Sequence, residues 1–345
     1  MAAALALLHP NVLAQWHSWN MCVCHKRPLC NATGWHGWSD VALRHYTDLA
    51  PKVRRYYETP PPDDLQRLQA VSGSASEAQR LASLPWPHKI HQTWKTHRLP
   101  EGMRQLASSW RLVHPQWEYK LWNDEENRRF IAREYSWFLP TYDGYDHAIK
   151  RVDAVRVFYL HKHGGVYADL DSIALQSLES LLGEQFPRAS VLLGFVGRGT
   201  GFQPSYSENV PNALMVSKPG APFWLDVMRE LVRRRNCAKP EYDTGPGLIT
   251  DVAKRHAVVV SRRGVPATAQ TPGAVVVLNS SYFYPIDWAS KLWKRVPYEN
   301  RRRVLANMSQ LAHTPSDLAT RIAHASNSRL DGAYVANLWM HTWQS

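Results

Sequence analysis

Gly164-Gly165-Val166-Tyr167-Ala168-Asp169-Leu170-Asp171 is the stretch on which the reading of this 345-residue chain turns. Two glycines break the preceding pattern, an apolar run follows, and the run ends in two carboxylates one residue apart. The run predicts a strand over 166–170. Alternate residues of a strand share a face, so Asp169 and Asp171 are expected to point the same way. Two carboxylates so placed repel each other unless a cation lies between them. A hard divalent ion such as Mn²⁺ or Mg²⁺, with a phosphate on its far side, answers that need.

Outward from this run the chain alternates strand and helix patterns. Upstream, 88–94 reads as a first strand and 102–112 as a helix stopped at His114-Pro115. Residues 118–122 alternate as a second strand, and Asn123-Asp124 cap a helix that runs to about 134. Residues 148–162 form a helix whose apolar stripe is Val152, Val155, Tyr159 and Leu160. Further strands are expected at 190–195, 212–217, 258–260 and 274–278, with helices at 223–235 and 248–255. This order implies an α/β sheet covered on both faces, with its ligand beyond the carboxyl ends of the strands. Asp169 and Asp171 lie at such an end. Residues 1–83 differ in texture, with Pro60-Pro61-Pro62 and a small-residue stretch at 72–76. They read as a partly disordered stem before a catalytic domain at 84–345.

A hydrophobic content of 44% supports a full core, which excludes wholesale disorder. Net charge is +12 and the pI is near 9.6, a surface that attracts anions. The Lys and Arg are scattered and no nucleic-acid motif organises them, so no nucleic-acid partner is expected. The surface suits nucleotide phosphates and association with a membrane surface. The 15 Trp can pack or line a sugar site. Cys22, Cys24 and Cys30 can pair in an oxidising compartment or remain thiols, and no zinc pattern completes them. Sequons at Asn31, Asn279 and Asn307 point to a secretory-pathway lumen such as the Golgi. No transmembrane segment is visible, since the apolar start at Met1–Leu8 is too short to span.

Asp153 and Arg156, three apart on the helix before Gly164, share a helix face. The run Arg151-Val152-Asp153-Ala154-Val155-Arg156, then Leu160, then 164–171, resembles the core of glycosyltransferase family 32, the sugar-transferase "DxD" family. So do Lys89-Ile90-His91-Gln92-Thr93-Trp94-Lys95, Trp110, His114-Pro115 and Tyr119-Lys120-Leu121-Trp122. Residues 134–139 are most similar to the branch with inositol-phosphoceramide mannosyltransferases. Asn212-Ala213-Leu214-Met215, Pro222-Phe223-Trp224 and Thr244-Gly245-Pro246 follow in the family's order.

The resemblance implies a GT-A fold, a Rossmann-like mixed sheet flanked by helices. It implies a nucleotide-sugar half at about 84–180 and an acceptor half at about 181–345. It also implies a divalent metal, a nucleotide-sugar donor with GDP-mannose favoured, retention at the anomeric carbon, and a glycolipid or glycan acceptor. Carried over, Asp171 binds the metal, and Asp169 contacts ribose or sugar and the metal shell. Asp153 and Arg156 hold the donor sugar. Thr93 and Trp94 lie at the nucleotide, where Trp94 can stack on the base or simply pack. Asn212 contacts donor or acceptor, or only forms a turn. Gly245 and Gly247 let backbone approach the substrate or make a tight turn. His341, before Thr342-Trp343, matches the start of the family's C-terminal closing segment and is a further metal ligand. Rival readings are a UDP-sugar galactosyl- or N-acetylglucosaminyltransferase, a two-metal phosphohydrolase, and a binding protein without catalysis.

Overall fold

The computed structural model describes residues 75–197, 210–236, 239–260, 264–286, 314–326 and 328–340, together with positions 300, 303, 304 and 307. The expectations placed on Cys22, Cys24, Cys30, Asn31 and His341 lie outside the described residues. In chain order the elements are α1 (Ala75–Ser83), β1 (Lys89–Thr93), α2 (Glu101–Val113), β2 (Glu118–Trp122), α3 (Asp124–Glu134) and α4 (Ala148–His163). Then come β3 (Gly165–Ala168), β4 (Ser172–Ala174), β5 (Val191–Gly194), β6 (Leu214–Ser217), α5 (Phe223–Arg233), α6 (Pro246–His256), β7 (Ala257–Val259), β8 (Val275–Leu278), α7 (Pro315–Ser326) and β9 (Val335–Asn337).

The main sheet has the order β2-β1-β3-β6-β5-β8-β7. β1 pairs in parallel with β2 and β3, and β8 with β5 and β7. β6 runs antiparallel to both its neighbours, which joins the two parallel halves. This is the mixed α/β sheet that the resemblance implies. Side chains alternate across it as the period of two requires. Tyr167, Val191, Leu193, Met215 and Val277 face a core built with α3, α4, α5 and α6. Val166, Ala168, Leu192, Leu214 and Val276 face a second core with Trp86, Trp110, Trp117 and Phe186. The two largest fully buried side chains are Trp110 and Trp224. These tryptophans pack; they do not line a sugar site.

Local rules account for most boundaries. Asn123 and Glu126 form a capping box at α3, each side chain accepting from the other's backbone N–H at 2.8 and 3.0 Å. α4 ends at Gly164 with φ of 64°, whose N–H donates to Leu160 O. α4 departs from the single stripe read in the sequence. Lys150, Asp153 and 154–160 are all buried, because the helix lies between the sheet and its neighbouring helices. Its polar residues are therefore interior.

Residues 75–83, within the stretch read as a stem, form a helix with Leu81 buried. Lys218 ties that helix down. It is fully buried and donates to the carbonyls of Ala82 (3.2 Å) and Pro187 (2.8 Å), 5.2 Å from the Trp86 ring centroid. Burial without a carboxylate pushes its ammonium pKa down to about 8.

Gly165 opens β3 with φ of 86°, and a Cβ there would collide with the carbonyl oxygen of Lys89 on β1. Gly165→Ala therefore meets both left-handed strain and overpacking against backbone. The two together are expected to cost about 2–5 kcal/mol. Urea denaturation measures this; a loss below about 1 kcal/mol would show that β1 and β3 part easily.

Candidate active site

The two aspartates do not share a strand face. β3 stops at Ala168, and Asp169-Leu170-Asp171 forms the turn into β4. Two forces pull the chain out of the sheet there. Leu170 turns into a third apolar cluster with Met103, Leu106, Ile173 and Leu338. Ser172 bonds back onto the Asp169 carbonyl through both its N–H and its hydroxyl. Each carboxylate consequently acquires a different set of partners.

Asp169 Oδ1 accepts from Tyr167 Oη at 2.8 Å and pairs with Arg156 Nη1 at 3.1 Å. Its Oδ2 makes no hydrogen bond or ion pair among the described residues, and the side chain is 31% exposed. Its N–H donates to Ala213 O at 2.7 Å, and its carbonyl accepts from Gln92 Nε2 at 3.2 Å. Asp171 accepts from Met340 N–H at 2.7 Å and Asn337 Nδ2 at 3.3 Å. Burial, then the charge of Asp169, pushes Asp171 up to about 7; the bonds from Met340 and Asn337 oppose this.

Arg156 is the hub. It is 3% exposed and spans Asp169 Oδ1, Asp153 Oδ1 (3.0 Å) and the carbonyl of Asn212 (2.8 Å). Its guanidinium carbon lies 4.5 Å from the Tyr167 ring centroid. Burial works against its charge, but the carboxylates around it hold its pKa above the usual arginine value. Asp153 is buried and fully engaged. Oδ1 also accepts from Asn212 Nδ2 (3.0 Å), and Oδ2 accepts from Thr244 Oγ1 (3.2 Å). Burial pushes Asp153 up to about 6 despite Arg156. Asp153 thus acts on Arg156, Asn212 and Thr244.

The structure brings Asp153, Arg156, Asp169 and Asn212 into one network, with Asp171 one turn away. Thr93 and Trp94 stand at the end of β1, the strand that pairs with β3 beside this network, where the neighbouring Gln92 donates to the Asp169 carbonyl. Thr93 Oγ1 donates to Trp122 O and accepts from Asn127. Trp94 is half-buried and packs on the cluster that holds Leu170. Gly245 and Gly247 serve a tight turn, since a Cβ at either would meet the backbone of Pro240 or Glu241. Asn279 is buried and caps its own turn through Ser281 N–H, so this sequon is a structural device. Sequence reading did not single out Tyr167, Thr244, Asn337 or Met340. Tyr167 and Thr244 stood inside quoted motifs; nothing local marks the other two.

Among the described residues no three His, Cys, Asp or Glu side chains gather as metal ligands. The pair still fits a hard dication. Both donors are carboxylate oxygens, Asp169 Oδ2 has no hydrogen-bond partner among the described residues, and a second negative charge at Asp171 is disfavoured until a cation offsets it. No described helix is long and apolar enough to cross a membrane.

Residues 100–187 match the family described as "Glycosyltransferase sugar-binding region containing DXD motif". Inositol phosphoceramide mannosyltransferase 3 of Schizosaccharomyces pombe is 42% identical over 170 residues, 49% of this chain and 43% of that protein. Mannosyl phosphorylinositol ceramide synthase SUR1 of Saccharomyces cerevisiae is 38% identical over 146 residues, 42% of this chain and 34% of that protein. The matches thus span less than half the length of these relatives. Among solved structures, PaToxG glycosyltransferase covers 62% of this chain and 79% of its own at 14% identity and a TM-score of 0.37. The matched region, residues 100–187, contains the Asp153–Arg156 helix face and the Asp169–Asp171 turn.

Proposed function

We propose that this chain is a metal-dependent, retaining glycosyltransferase. It moves a hexose, mannose from GDP-mannose, to a hydroxyl of an inositol-phosphoceramide-like glycolipid. The observation that carries this is the buried Arg156, held between Asp153 and Asp169 beside a second carboxylate, Asp171, at the end of β3. Fixed charge of this kind stabilises a leaving group without reorganising during reaction. The names of the relatives support mannose and the phosphorylinositol-ceramide acceptor.

Asp169 and Asp171 would hold Mn²⁺ or Mg²⁺. The bound ion would supply Lewis-acid neutralisation of the leaving diphosphate. Arg156 and Asn212 fix the donor sugar against the end of the sheet, and Tyr167 keeps Asp169 Oδ1 in place. The bond from the anomeric carbon to the diphosphate oxygen breaks. The bond from that carbon to the acceptor oxygen forms on the same face, and the acceptor proton passes to the departing phosphate. Donor contacts fall in 84–180 with Asn212 added from the acceptor half at 181–345, in a secretory-pathway lumen such as the Golgi, at a membrane surface.

The test combines purified protein, Mn²⁺, inositol phosphoceramide and a panel of GDP-mannose, UDP-galactose and UDP-N-acetylglucosamine. Mannosylated lipid and GDP are the expected products, with chelator stopping the reaction. Transfer from a UDP-sugar alone would replace the donor assignment. Donor binding with no turnover on any acceptor would replace the enzyme by a binding protein.

A further inference from the structure

Asp171 is approached from one short segment far along the chain. Leu338 N–H donates to its carbonyl (2.8 Å), Asn337 Nδ2 to Oδ1 (3.3 Å) and Met340 N–H to Oδ2 (2.7 Å). Asn337, Leu338 and Met340 are all buried. Between them stands Trp339 with φ of 53°, a left-handed backbone that a bulky side chain rarely adopts. Such a conformation persists only where its surroundings over-determine it.

The surroundings do so at three points. Trp339 N–H donates to Asn337 Oδ1 at 2.8 Å, closing a turn of the kind asparagine favours. Its Nε1 donates to Ile286 O at 2.7 Å. Its ring lies 5.4 Å from that of Tyr284, whose hydroxyl accepts from Leu214 N–H on β6. The geometric consequence concerns spacing. In an extended segment, N–H groups two residues apart are about 6.7 Å apart. The left-handed turn lies between the N–H of 338, which meets the Asp171 carbonyl, and that of 340, which meets its carboxylate.

We propose that residues 337–340 form a strap that orients Asp171 for the divalent cation, with Trp339 as its positioning residue. The strap fixes the carboxylate plane, donates to its ionised form, and leaves the remaining lone pairs to the ion. This rests on the reading of Asp169 and Asp171 as cation ligands.

The test is Mn²⁺ binding to the full chain, followed by electron paramagnetic resonance of the free ion, with and without GDP, so no turnover is needed. Wild type is expected to show binding that Asp171→Ala abolishes. Trp339→Gly keeps the left-handed turn accessible but removes the anchor, and Asn337→Leu removes both bonds of the asparagine. Each is expected to weaken Mn²⁺ binding 10–100-fold, the usual effect of losing an outer-shell partner. Trp339→Phe keeps the ring on Tyr284 and loses only the bond to Ile286, so its loss is smaller, about threefold to tenfold; it remains informative if glycine unfolds the segment. Affinities within twofold of wild type in both Trp339→Phe and Asn337→Leu overturn the strap and leave the cation reading intact. Wild-type protein with no Asp171-dependent Mn²⁺ binding overturns both.

Discussion

Asparagine in place of Asp171 is expected to lower sugar transfer by about three orders of magnitude or more while leaving the protein folded. The metal's neutralisation of a leaving diphosphate is worth several kcal/mol, and each decade of rate corresponds to about 1.36 kcal/mol. The amide has the carboxylate's shape, so the turn from β3 to β4 can persist. It can still accept from Met340 N–H, but its own NH₂ then meets the Asn337 amide, and one bond worth about 1 kcal/mol is lost. Against that loss, a buried charge disappears. The net change in stability is therefore expected to lie within about 2 kcal/mol. Single-turnover transfer assays with thermal melts measure both quantities. Transfer within tenfold of wild type would remove Asp171 from the chemistry.

Arg156→Met is expected to damage both fold and activity. Arg156 is the only cation bonded to Asp153 and Asp169 among the described residues, and methionine leaves two buried carboxylates facing each other. Removing one partner of a buried ion pair costs about 3–5 kcal/mol. The sign of the pH effect follows from Asp153, whose pKa already stands near 6 with the arginine present. Without it the folded-state pKa of Asp153 rises further above its unfolded value. The folded protein then binds more protons than the unfolded one as pH rises from about 4, so destabilisation grows with pH through that folded pKa. The deficit should thus be smaller at pH 5 than at pH 8. Arg156→Lys separates charge from geometry. An ammonium can face the carboxylates, but its single nitrogen cannot reproduce the planar fork by which Nη2 meets Asp153 while Nη1 meets Asp169 and Asn212 O. Stability should recover by about half in the lysine variant while transfer stays at least 10²-fold down. Urea titrations at the two pH values and kcat for each variant decide this. A deficit that does not change with pH would mean that Asp153 and Asp169 relax away from each other.

Much of the candidate site was legible because its signals are local. Asn123-Asp124 forecasts the cap of α3, the Gly164-Gly165 pair forecasts the end of α4, and the Asp153 and Arg156 spacing forecasts a shared helix face. The strand after Gly165 was drawn two residues too long, because an apolar Leu170 reads as strand when its packing partners lie elsewhere in the chain. Asp169 and Asp171 consequently looked like a matched pair on one face. In the fold one is paired with arginine and the other is capped by backbone. Met340 contributes an N–H that almost every residue possesses, so nothing in its side chain could announce it. β4 and β9 are three residues each and find each other across the chain, beyond any periodicity count.

That β4–β9 pairing has a kinetic side. β1 and β2 join positions 29 residues apart, whereas Asn337 reaches Asp171 across 166. Closing the longer loop costs about 1.5 kcal/mol more chain entropy. Long-range pairing of this kind forms late in folding. The bonds that hold Asp153, Arg156 and Asp169 close loops of no more than 91 residues, so among the carboxylates of this site Asp171 carries the largest loop-closure cost.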